Sequence, residues 1–303
     1  MDSIIEVRSI RKTYGGVAAV DDVSFTVQRG EIFAIVGPNG AGKTTTVESI
    51  IGLRQPDSGV IRVLGMDPQR EDAALRQRIG VQLQEAALPD RIKVWEALDL
   101  FASFYPQTVD WEQLLQDWGL AEKRQTQFAK LSGGQKQRLF ICLALLNDPE
   151  VVFLDELTTG LDPQARRATW DAVLAIRERG KTVVLVTHFM DEAEALADRV
   201  AIIDRGRVVA LDTPECLIAN LDTARRVTFG KVNGFSAQML AGVPGLRNVV
   251  ENGRTVTAYG RGPLVIHLAA ALKENNLYPN DLHVEQANLE DVFLALTGRQ
   301  IRA

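Results

Sequence analysis

Residues 37–45 read Gly-Pro-Asn-Gly-Ala-Gly-Lys-Thr-Thr, and together with the segments on either side they indicate the fold. The segment before it, residues 31–36, is a short apolar run rich in β-branched residues, which predicts a buried strand of a parallel sheet. Residues 44–51 carry apolar side chains at helical spacing and predict a helix that begins within the stretch. The sequence therefore predicts a strand, a glycine-rich turn and a helix N-terminus in succession.

A turn of this kind can hold a chain of phosphates. Its glycines let the backbone turn tightly and bring successive N–H groups close to anionic oxygens, and the helix dipole adds favourable potential. The pattern predicts that Lys43 reaches the β- and γ-phosphates of a nucleotide and that the Thr44 hydroxyl binds Mg²⁺. The predicted phosphate-binding residues are Gly37, Pro38, Asn39, Gly40, Ala41, Gly42, Lys43, Thr44 and Thr45.

The composition limits the class of protein. A chain of 303 residues favours two domains, and 46% apolar residues can form a large core without disulfides or metals. The formal net charge is −5, whereas a nucleic-acid-binding protein usually has a basic excess. We therefore expect no nucleic-acid partner.

The sequence also predicts the compartment. No run of 18 or more apolar residues occurs, and the N-terminus lacks the basic and apolar regions of a signal peptide. We expect a cytoplasmic protein that reaches a membrane only through another chain. Cys142 and Cys216 lie in apolar-patterned segments without metal-ligand spacing, so we expect two buried thiols in a reducing cytosol.

The residues before the phosphate loop predict short strands. Residues 4–11 alternate between apolar and polar side chains, and residues 17–27 predict further strands that are separated by an Asp-Asp pair. Tyr14 lies in the turn of residues 12–16 between them. Its ring either stacks on an adenine or packs on a neighbouring strand, and the residues alone do not decide between the two.

Two polar side chains follow predicted strands. Gln84 ends the apolar segment of residues 79–84, and His188 lies two residues beyond the β-branched segment of residues 181–186. Because ligands of doubly wound sheets bind beyond the carboxyl ends of the strands, Gln84 is placed to touch a metal or an attacking water. His188 is either a catalytic group at the same edge or a packed polar residue.

Two carboxylates follow another strand. Residues 151–155 form an apolar run that ends in Asp155, and Glu156 comes next. Beside a phosphate loop, Asp155 suits a Mg²⁺ ion and Glu156 can polarise a water for attack on a γ-phosphate. The alternative is a pair of solvated acids that cap the next turn.

Residues 94–146 have a helical pattern that contains a second glycine-rich turn. Residues 131–135 read Leu-Ser-Gly-Gly-Gln and lead into an amphipathic helix over residues 136–146. This turn is a second candidate anion site, because it also places backbone N–H groups at a helix N-terminus.

The order and spacing of these motifs resemble the ATP-binding-cassette (ABC) ATPase family over residues 4–220. The resemblance implies an α/β fold of the ABC-type P-loop NTPases: a RecA-like parallel-sheet core, an antiparallel β subdomain, and an α-helical subdomain at about residues 85–150. It implies an ATPase domain over residues 1–221. It also implies ATP hydrolysis coupled to transmembrane transport, with ATP and Mg²⁺ bound.

The resemblance assigns roles to the candidate residues. Glu156 is the catalytic base, and Lys43, Gln84 and His188 complete the catalytic set. The further nucleotide contacts are Tyr14 on the adenine, the turn of Ser132, Gly133, Gly134 and Gln135, and Asp162 of the D-loop. The implied metal ligands are Thr44, Gln84 and Asp155. One departure is Leu157, because the family usually has a proline there; we expect a slightly relaxed turn without loss of activity.

The family also implies partners. Two copies, or this chain and a related one, pair head to tail, and each ATP lies between the phosphate loop of one copy and Ser132 to Gln135 of the other. A permease on a separate chain is moved through the surface between Gln84 and Phe104. The protein would then be peripheral on the cytoplasmic face of the membrane.

Residues 222–303 predict a second domain. The order of predicted strands and helices, βαββαβ, indicates a small α+β ferredoxin-like fold, with a helix over residues 236–241 as the first crossover. The last helix, residues 288–299, resembles the ATPases of the daunorubicin/doxorubicin-resistance exporters. We therefore expect export of drugs, antibiotics or lipid-like compounds, with the second domain stabilising the dimer.

Two alternative functions are retained. One is an ABC ATPase of DNA repair or translation, although the chain lacks the coiled-coil or zinc insertions and the second cassette typical of that class. The other is a module that senses ATP without hydrolysis, against which the intact Asp155, Glu156 and His188 argue.

Overall fold

The computed structural model describes residues 3–84, 87–221 and 225–298. Backbone contacts divide the chain into two compact units, with the division between Thr213 and Pro214. The boundary predicted from the sequence, at residue 221, stays a prediction.

The first unit is built on two sheets. Its strands are β1 (Ser3–Tyr14), β2 (Val17–Gln28), β3 (Ile32–Val36), β4 (Ser58–Val63), β5 (Ile79–Gln82), β6 (Val151–Asp155), β7 (Thr182–Thr187), β8 (Arg199–Asp204) and β9 (Arg207–Asp212). The larger sheet has the order β5-β6-β7-β3-β8-β9 and is parallel except for the last pair. The smaller sheet, β2-β1-β4, is antiparallel.

The helices of this unit follow the predicted pattern. They are α1 (Lys43–Ile50), α2 (Asp72–Arg76), α3 (Val94–Ala102), α4 (Trp111–Asp117), α5 (Gly133–Leu145), α6 (Pro163–Glu178) and α7 (Met190–Leu196), with 3-10 turns at Ala121–Lys123 and Phe128–Lys130. Every residue of β3, β6 and β7 is buried, as expected for apolar strands in the middle of a parallel sheet. The predicted α/β fold with a parallel core and an antiparallel sheet is confirmed.

The parallel sheet positions the candidate site. β3, β6 and β7 are neighbours and run in the same direction, so their carboxyl ends lie at one edge. The phosphate loop, the two carboxylates and His188 follow these three strands directly. Sequence positions that are more than 140 residues apart are therefore brought to one place.

Two expectations for the N-terminal strands were wrong. β2 is one strand of 12 residues rather than several short ones, because Asp22 takes a left-handed conformation (φ 61°) and the strand continues past it. β1 runs on through Tyr14, so this residue ends a strand instead of lying in a turn.

The second unit has its own sheet and core. Its elements are α8 (Pro214–Ala219), β10 (Arg225–Gly230), a 3-10 turn (Ala237–Leu240), β11 (Leu246–Asn252), β12 (Thr255–Gly260), α9 (Leu264–Glu274), β13 (Leu282–Gln286) and α10 (Leu289–Thr297). The sheet is antiparallel in the order β11-β12-β10-β13. Buried side chains of β10, β12 and α9 form its core.

Two further expectations were wrong. The predicted helix over residues 236–241 is only a 3-10 turn, because Leu240 is its single buried side chain and one turn suffices to bury it. Cys216 lies at the surface, whereas Cys142 is buried as expected. α8 buries Pro214 and Leu217, and the intervening Cys216 is on another side of the helix.

Candidate active site

The phosphate loop has the predicted strand–turn–helix geometry. It leaves the buried strand β3 and enters α1 at Lys43. Gly42 has a left-handed backbone (φ 103°), and a Cβ there would overlap the carbonyl oxygen of Ala19. A Cβ on Gly37 would likewise overlap the carbonyl oxygen of Ile203. Both positions therefore require glycine for packing within the chain itself, in addition to any approach by a phosphate.

Lys43 lies inside this loop. Its side chain is buried, and its Nζ donates to the carbonyl oxygens of Gly37 at 2.8 Å and Pro38 at 3.2 Å. Burial lowers the pKa of Lys43, and the nearby charges of Glu156 and Asp155 oppose that shift. The loop therefore encloses a cation at the place where the motif predicts phosphates.

Asp155 places a buried carboxylate at the end of β6. It is 2% exposed, and its Oδ1 is buried without a hydrogen-bond partner among the described residues. Burial raises its pKa from 3.8 to about 6; the charge of Glu156 adds to the shift and Lys43 opposes it.

This unsatisfied carboxylate fits a Mg²⁺ ion, which prefers oxygen ligands. Within the residues that the structure describes, no three His, Cys, Asp or Glu side chains converge to hold a metal alone. The remaining ligands would therefore have to be hydroxyl, amide, water or phosphate oxygens. This requirement matches Thr44 and Gln84, the other predicted metal ligands.

Glu156 is the centre of the site. Its backbone is left-handed (φ 49°), an unusual conformation for a residue with a side chain, and its N–H donates to the carbonyl oxygen of Val186 at 2.8 Å. Its Oε2 accepts from Gln84 Nε2 at 2.7 Å, and its Oε1 lies 3.1 Å from His188 Nδ1. The structure therefore brings together three residues that the sequence placed at the ends of different strands.

His188 is nearly buried against Glu156, with its side chain 10% exposed. Its ring lies 4.1 Å from the ring of Phe189, measured between centroids. Nε2 has no hydrogen bond within the described part of the chain, so one edge of the imidazole is still available to a ligand.

The turn of residues 132–135 forms a capping box at the start of α5. Ser132 Oγ accepts from the Gln135 N–H at 3.3 Å, and Gln135 Oε1 accepts from the Ser132 N–H at 3.0 Å. Among the described residues, no hydrogen bond or ion pair joins this turn to residues 37–45 of the same chain. The two candidate anion sites are therefore not united within one chain.

Asp162 lies beside this turn. It caps α6 by accepting from the backbone N–H groups of Gln164 at 3.0 Å and Ala165 at 2.9 Å. Gly133 and Gly134 pack close to this region, and together they line an open cleft of about 320 Å³. Asp162 and the glycine-rich turn thus share one surface.

Tyr14 is 42% exposed at the end of β1. Its ring centroid lies 5.7 Å from Lys12 Nζ and 5.4 Å from the guanidinium carbon of Arg54. Neither cation was singled out in the sequence. No local pattern marks Arg54, because it comes from the loop after α1 and meets Tyr14 only in the fold.

Known proteins resemble this chain in sequence and in fold. The model of the ABC transporter family matches residues 20–159. A Nod factor export ATP-binding protein I from Paraburkholderia xenovorans is 37% identical over 310 aligned residues, which cover 99% of each chain. The chain belongs to the ABC transporter ATP-binding family.

Solved structures of ABC proteins agree with this assignment. An ATP-binding subunit of an ABC transporter has a TM-score of 0.64 and 31% identity, covering 71% of this chain and 91% of that one. A dimeric ATP-binding cassette in a post-hydrolysis state with ADP and phosphate has a TM-score of 0.61 and 26% identity, covering 69% and 98%. As a member of this family, the chain is a nucleotide-binding ATPase of the ABC transporters.

The length and hydropathy of its helices show whether a segment of the chain could cross a membrane. Among the described residues, the ABC subunit has no helix that is both long enough and apolar enough to cross a bilayer.

Leu157, where the family usually has proline, is 1% exposed and packs in the core. Its side chain therefore anchors the turn after Glu156 by burial.

Proposed function

We propose that this chain hydrolyses ATP at the Glu156 centre and thereby drives a separate membrane permease that exports drugs, antibiotics or lipid-like compounds. The observation that carries the proposal is the contact of the Glu156 carboxylate with both Gln84 and His188, next to the buried Asp155. The export direction is supported by the relative of nearly equal length whose name describes Nod factor export.

The residues would act on ATP in distinct ways. The N–H groups of the phosphate loop and Lys43 bind the β- and γ-phosphates. Thr44, Asp155 and Gln84 would hold Mg²⁺, which when bound neutralises phosphate charge. Tyr14 would stack on the adenine.

Glu156 performs the chemical step in this proposal. Its carboxylate orients a water toward the γ-phosphorus and accepts a proton from it, while the bond to the β–γ bridging oxygen breaks and ADP leaves. His188 holds a γ-phosphate oxygen from its Nε2 edge. Gln84 and His188 each contact one oxygen of the Glu156 carboxylate, and the remaining lone pairs of these oxygens are the acceptors that would hold the water.

A second copy would complete the site. One surface carries Ser132, Gly133, Gly134, Gln135 and Asp162. Within the described ranges of the chain, this surface has no hydrogen bond or ion pair to the phosphate loop. In a head-to-tail dimer they would close over the ATP of the partner copy. The dimeric cassette with ADP and phosphate, which shares the fold, supports the formation of a dimer.

The permease would bind in a groove next to Gln84. The groove has a volume of about 440 Å³, and its apolar lining includes Leu53, Leu83, Phe101 and Phe104. Phe104 is 64% exposed, which is unusual for a phenylalanine. Leu83 directly precedes Gln84, so a helix of the permease seated here would sense the position of the glutamine. The protein would then be peripheral on the cytoplasmic face of the membrane.

Membrane association tests this proposal. The tagged chain is expressed in its source cells, and the fraction that sediments with membranes and is extracted by detergent together with a polytopic protein is measured. We expect Phe104→Asp to lose this fraction and to keep the ATPase activity of the purified chain. Val60→Asp, at a side chain 50% exposed on β4, is the control and should bind as the wild type does. Equal binding by Phe104→Asp, or recovery of nucleic acid instead, would contradict the proposal.

A further inference from the structure

Phe189 links His188 to a neighbouring helix. Its ring lies 4.1 Å from the imidazole of His188, at 38° to it, and its backbone N–H donates to Thr187 Oγ1 at 3.0 Å. That hydrogen bond fixes the chain where β7 ends. The half-buried Phe189 ring therefore packs against the imidazole of His188.

Arg166 packs on the ring of Phe189. Its guanidinium carbon lies 4.6 Å from the ring centroid, within the range of a cation–π contact. Its Nη1 donates to Asp191 Oδ2 at 3.1 Å, and its Nε is buried without a hydrogen-bond partner in the described part of the chain. The guanidinium is therefore held by the aromatic ring and by the hydrogen bond to Asp191, while its Nε makes no hydrogen bond to a described residue.

A second contact keeps the two helices together without Arg166. Trp170, one turn further along α6, donates from Nε1 to Oε1 of the buried Glu192 at 3.1 Å. Because this bond and the surrounding core hold α7 on α6, a change at Arg166 should leave the packing of the helices intact. Its effect should then be local to the Phe189 ring.

We propose that Arg166 is a positioning residue that acts through the ring of Phe189 to hold the His188 imidazole against Glu156. The chain of contacts runs from Arg166 to Phe189 at 4.6 Å, from Phe189 to His188 at 4.1 Å, and from His188 to Glu156 at 3.1 Å. This inference rests on the proposed roles of His188 and Glu156. It adds a residue of α6 that touches neither the nucleotide nor water.

The ion pair between Arg166 and Asp191 contributes less to this positioning than the stacking on Phe189 does. The Asp191 side chain is 60% exposed, and pairs of that kind contribute little because water screens them. The planar guanidinium is the feature that lysine lacks, since its ammonium is a compact charge that stacks poorly. Arg166→Lys therefore removes the stacking and keeps the charge, whereas Asp191→Asn removes the ion pair and keeps the stacking.

Steady-state ATPase kinetics of the full chain test the proposal. We expect Arg166→Lys and Phe189→Leu to lower kcat about tenfold with the KM for ATP within about twofold. Phe189→Tyr keeps an aromatic ring, so its kcat should stay close to that of the wild type. Asp191→Asn should change kcat little. Arg167→Lys, at the exposed neighbouring residue of α6, is the matched control.

A double-mutant cycle with His188 separates positioning from general destabilisation. If Arg166 acts through His188, Arg166→Lys should cost nothing further in a chain that already carries His188→Ala. Equal losses in both backgrounds, or no loss in either, would overturn the inference. If His188→Ala and Glu156→Gln lose turnover while Arg166→Lys matches Arg167→Lys, only this inference fails. Near-normal turnover of His188→Ala would overturn the proposed function of the site and this inference with it.

Discussion

Gln84 donates a hydrogen bond from Nε2 to Oε2 of Glu156 across 2.7 Å. The donor follows β5 and the acceptor follows β6, and these neighbouring parallel strands bring the two side chains together. A residue proposed to hold Mg²⁺ is therefore hydrogen-bonded to the proposed catalytic base. The amide oxygen of Gln84 would be the atom that holds Mg²⁺, whereas its Nε2 is the atom that contacts Glu156.

Replacement of Gln84 by glutamate tests this contact. Gln84→Glu would place a second carboxylate beside Glu156, and the repulsion between two adjacent negative charges favours protonation of the pair. We expect the acid limb of the ATPase pH–rate profile to move up by about 1–2 pH units. The control is Gln113→Glu, where the amide donates to Asp117 Oδ1 at 2.8 Å on α4. A profile for Gln84→Glu that coincides with that of the control would refute the prediction.

The buried carboxylate of Asp155 is expected to lower the stability of the folded chain. Its pKa is raised from 3.8 to about 6, so the folded chain binds the proton more tightly than the unfolded chain does. The penalty is fully present above pH 6, falls as the pH drops toward 3.8, and is on the order of 3 kcal/mol.

Asp155→Asn should therefore raise the free energy of unfolding at pH 7.5 by about 1–3 kcal/mol while it abolishes Mg²⁺-dependent ATPase activity. The gain should shrink steadily between pH 6 and pH 4. Urea denaturation of both chains across this pH range measures the difference. A variant that is less stable than the wild type at pH 7.5 would show that the carboxylate is satisfied in the fold.

The glycines of the phosphate loop should differ in their tolerance of alanine. Gly40 and Gly42 both have positive φ angles, but only at Gly42 would a Cβ overlap other backbone atoms. We expect Gly42→Ala to cost about 2–4 kcal/mol of the free energy of unfolding and Gly40→Ala about 1 kcal/mol. Thermal denaturation without nucleotide isolates this effect from ligand binding. Equal losses at the two positions would contradict the packing argument.

The division between the units gives a further prediction. α8 packs on α10, and Leu217 of α8 is 9% exposed. A chain that ends at Leu221 would keep α8 but lose α10, whereas a chain that ends at Thr213 would lose both. We expect the shorter chain to be the more soluble and to keep ATP binding, as gel filtration and nucleotide titration would show. Higher solubility of the chain that ends at Leu221 than of the chain that ends at Thr213 would favour a domain boundary at residue 221.

Much of the site could be predicted because its signals are local in the sequence. A strand, a glycine-rich turn and a helix predict the phosphate loop directly, and apolar strands that end in polar residues predict Gln84, Asp155, Glu156 and His188. What could not be predicted depends on contacts between distant segments. The left-handed backbone of Glu156 and the packing of Arg166 on Phe189 leave no periodic pattern in the sequence.

The wrong expectations have similar causes. Cys216 was expected to be buried because its neighbours are apolar, yet the choice of buried face on a short helix is made by its packing partner. The Asp-Asp pair in β2 reads as a strand break, but a single left-handed residue lets the strand continue.

The most direct test of the central claim is the turnover of Glu156→Gln. The substitution keeps the size of the side chain but replaces one carboxylate oxygen with an amide NH2, and so removes its capacity to accept a proton. We predict that steady-state ATP hydrolysis falls by at least about 100-fold while the Kd for ATP stays within about threefold. Near-normal turnover by this variant would show that Glu156 is not the catalytic base.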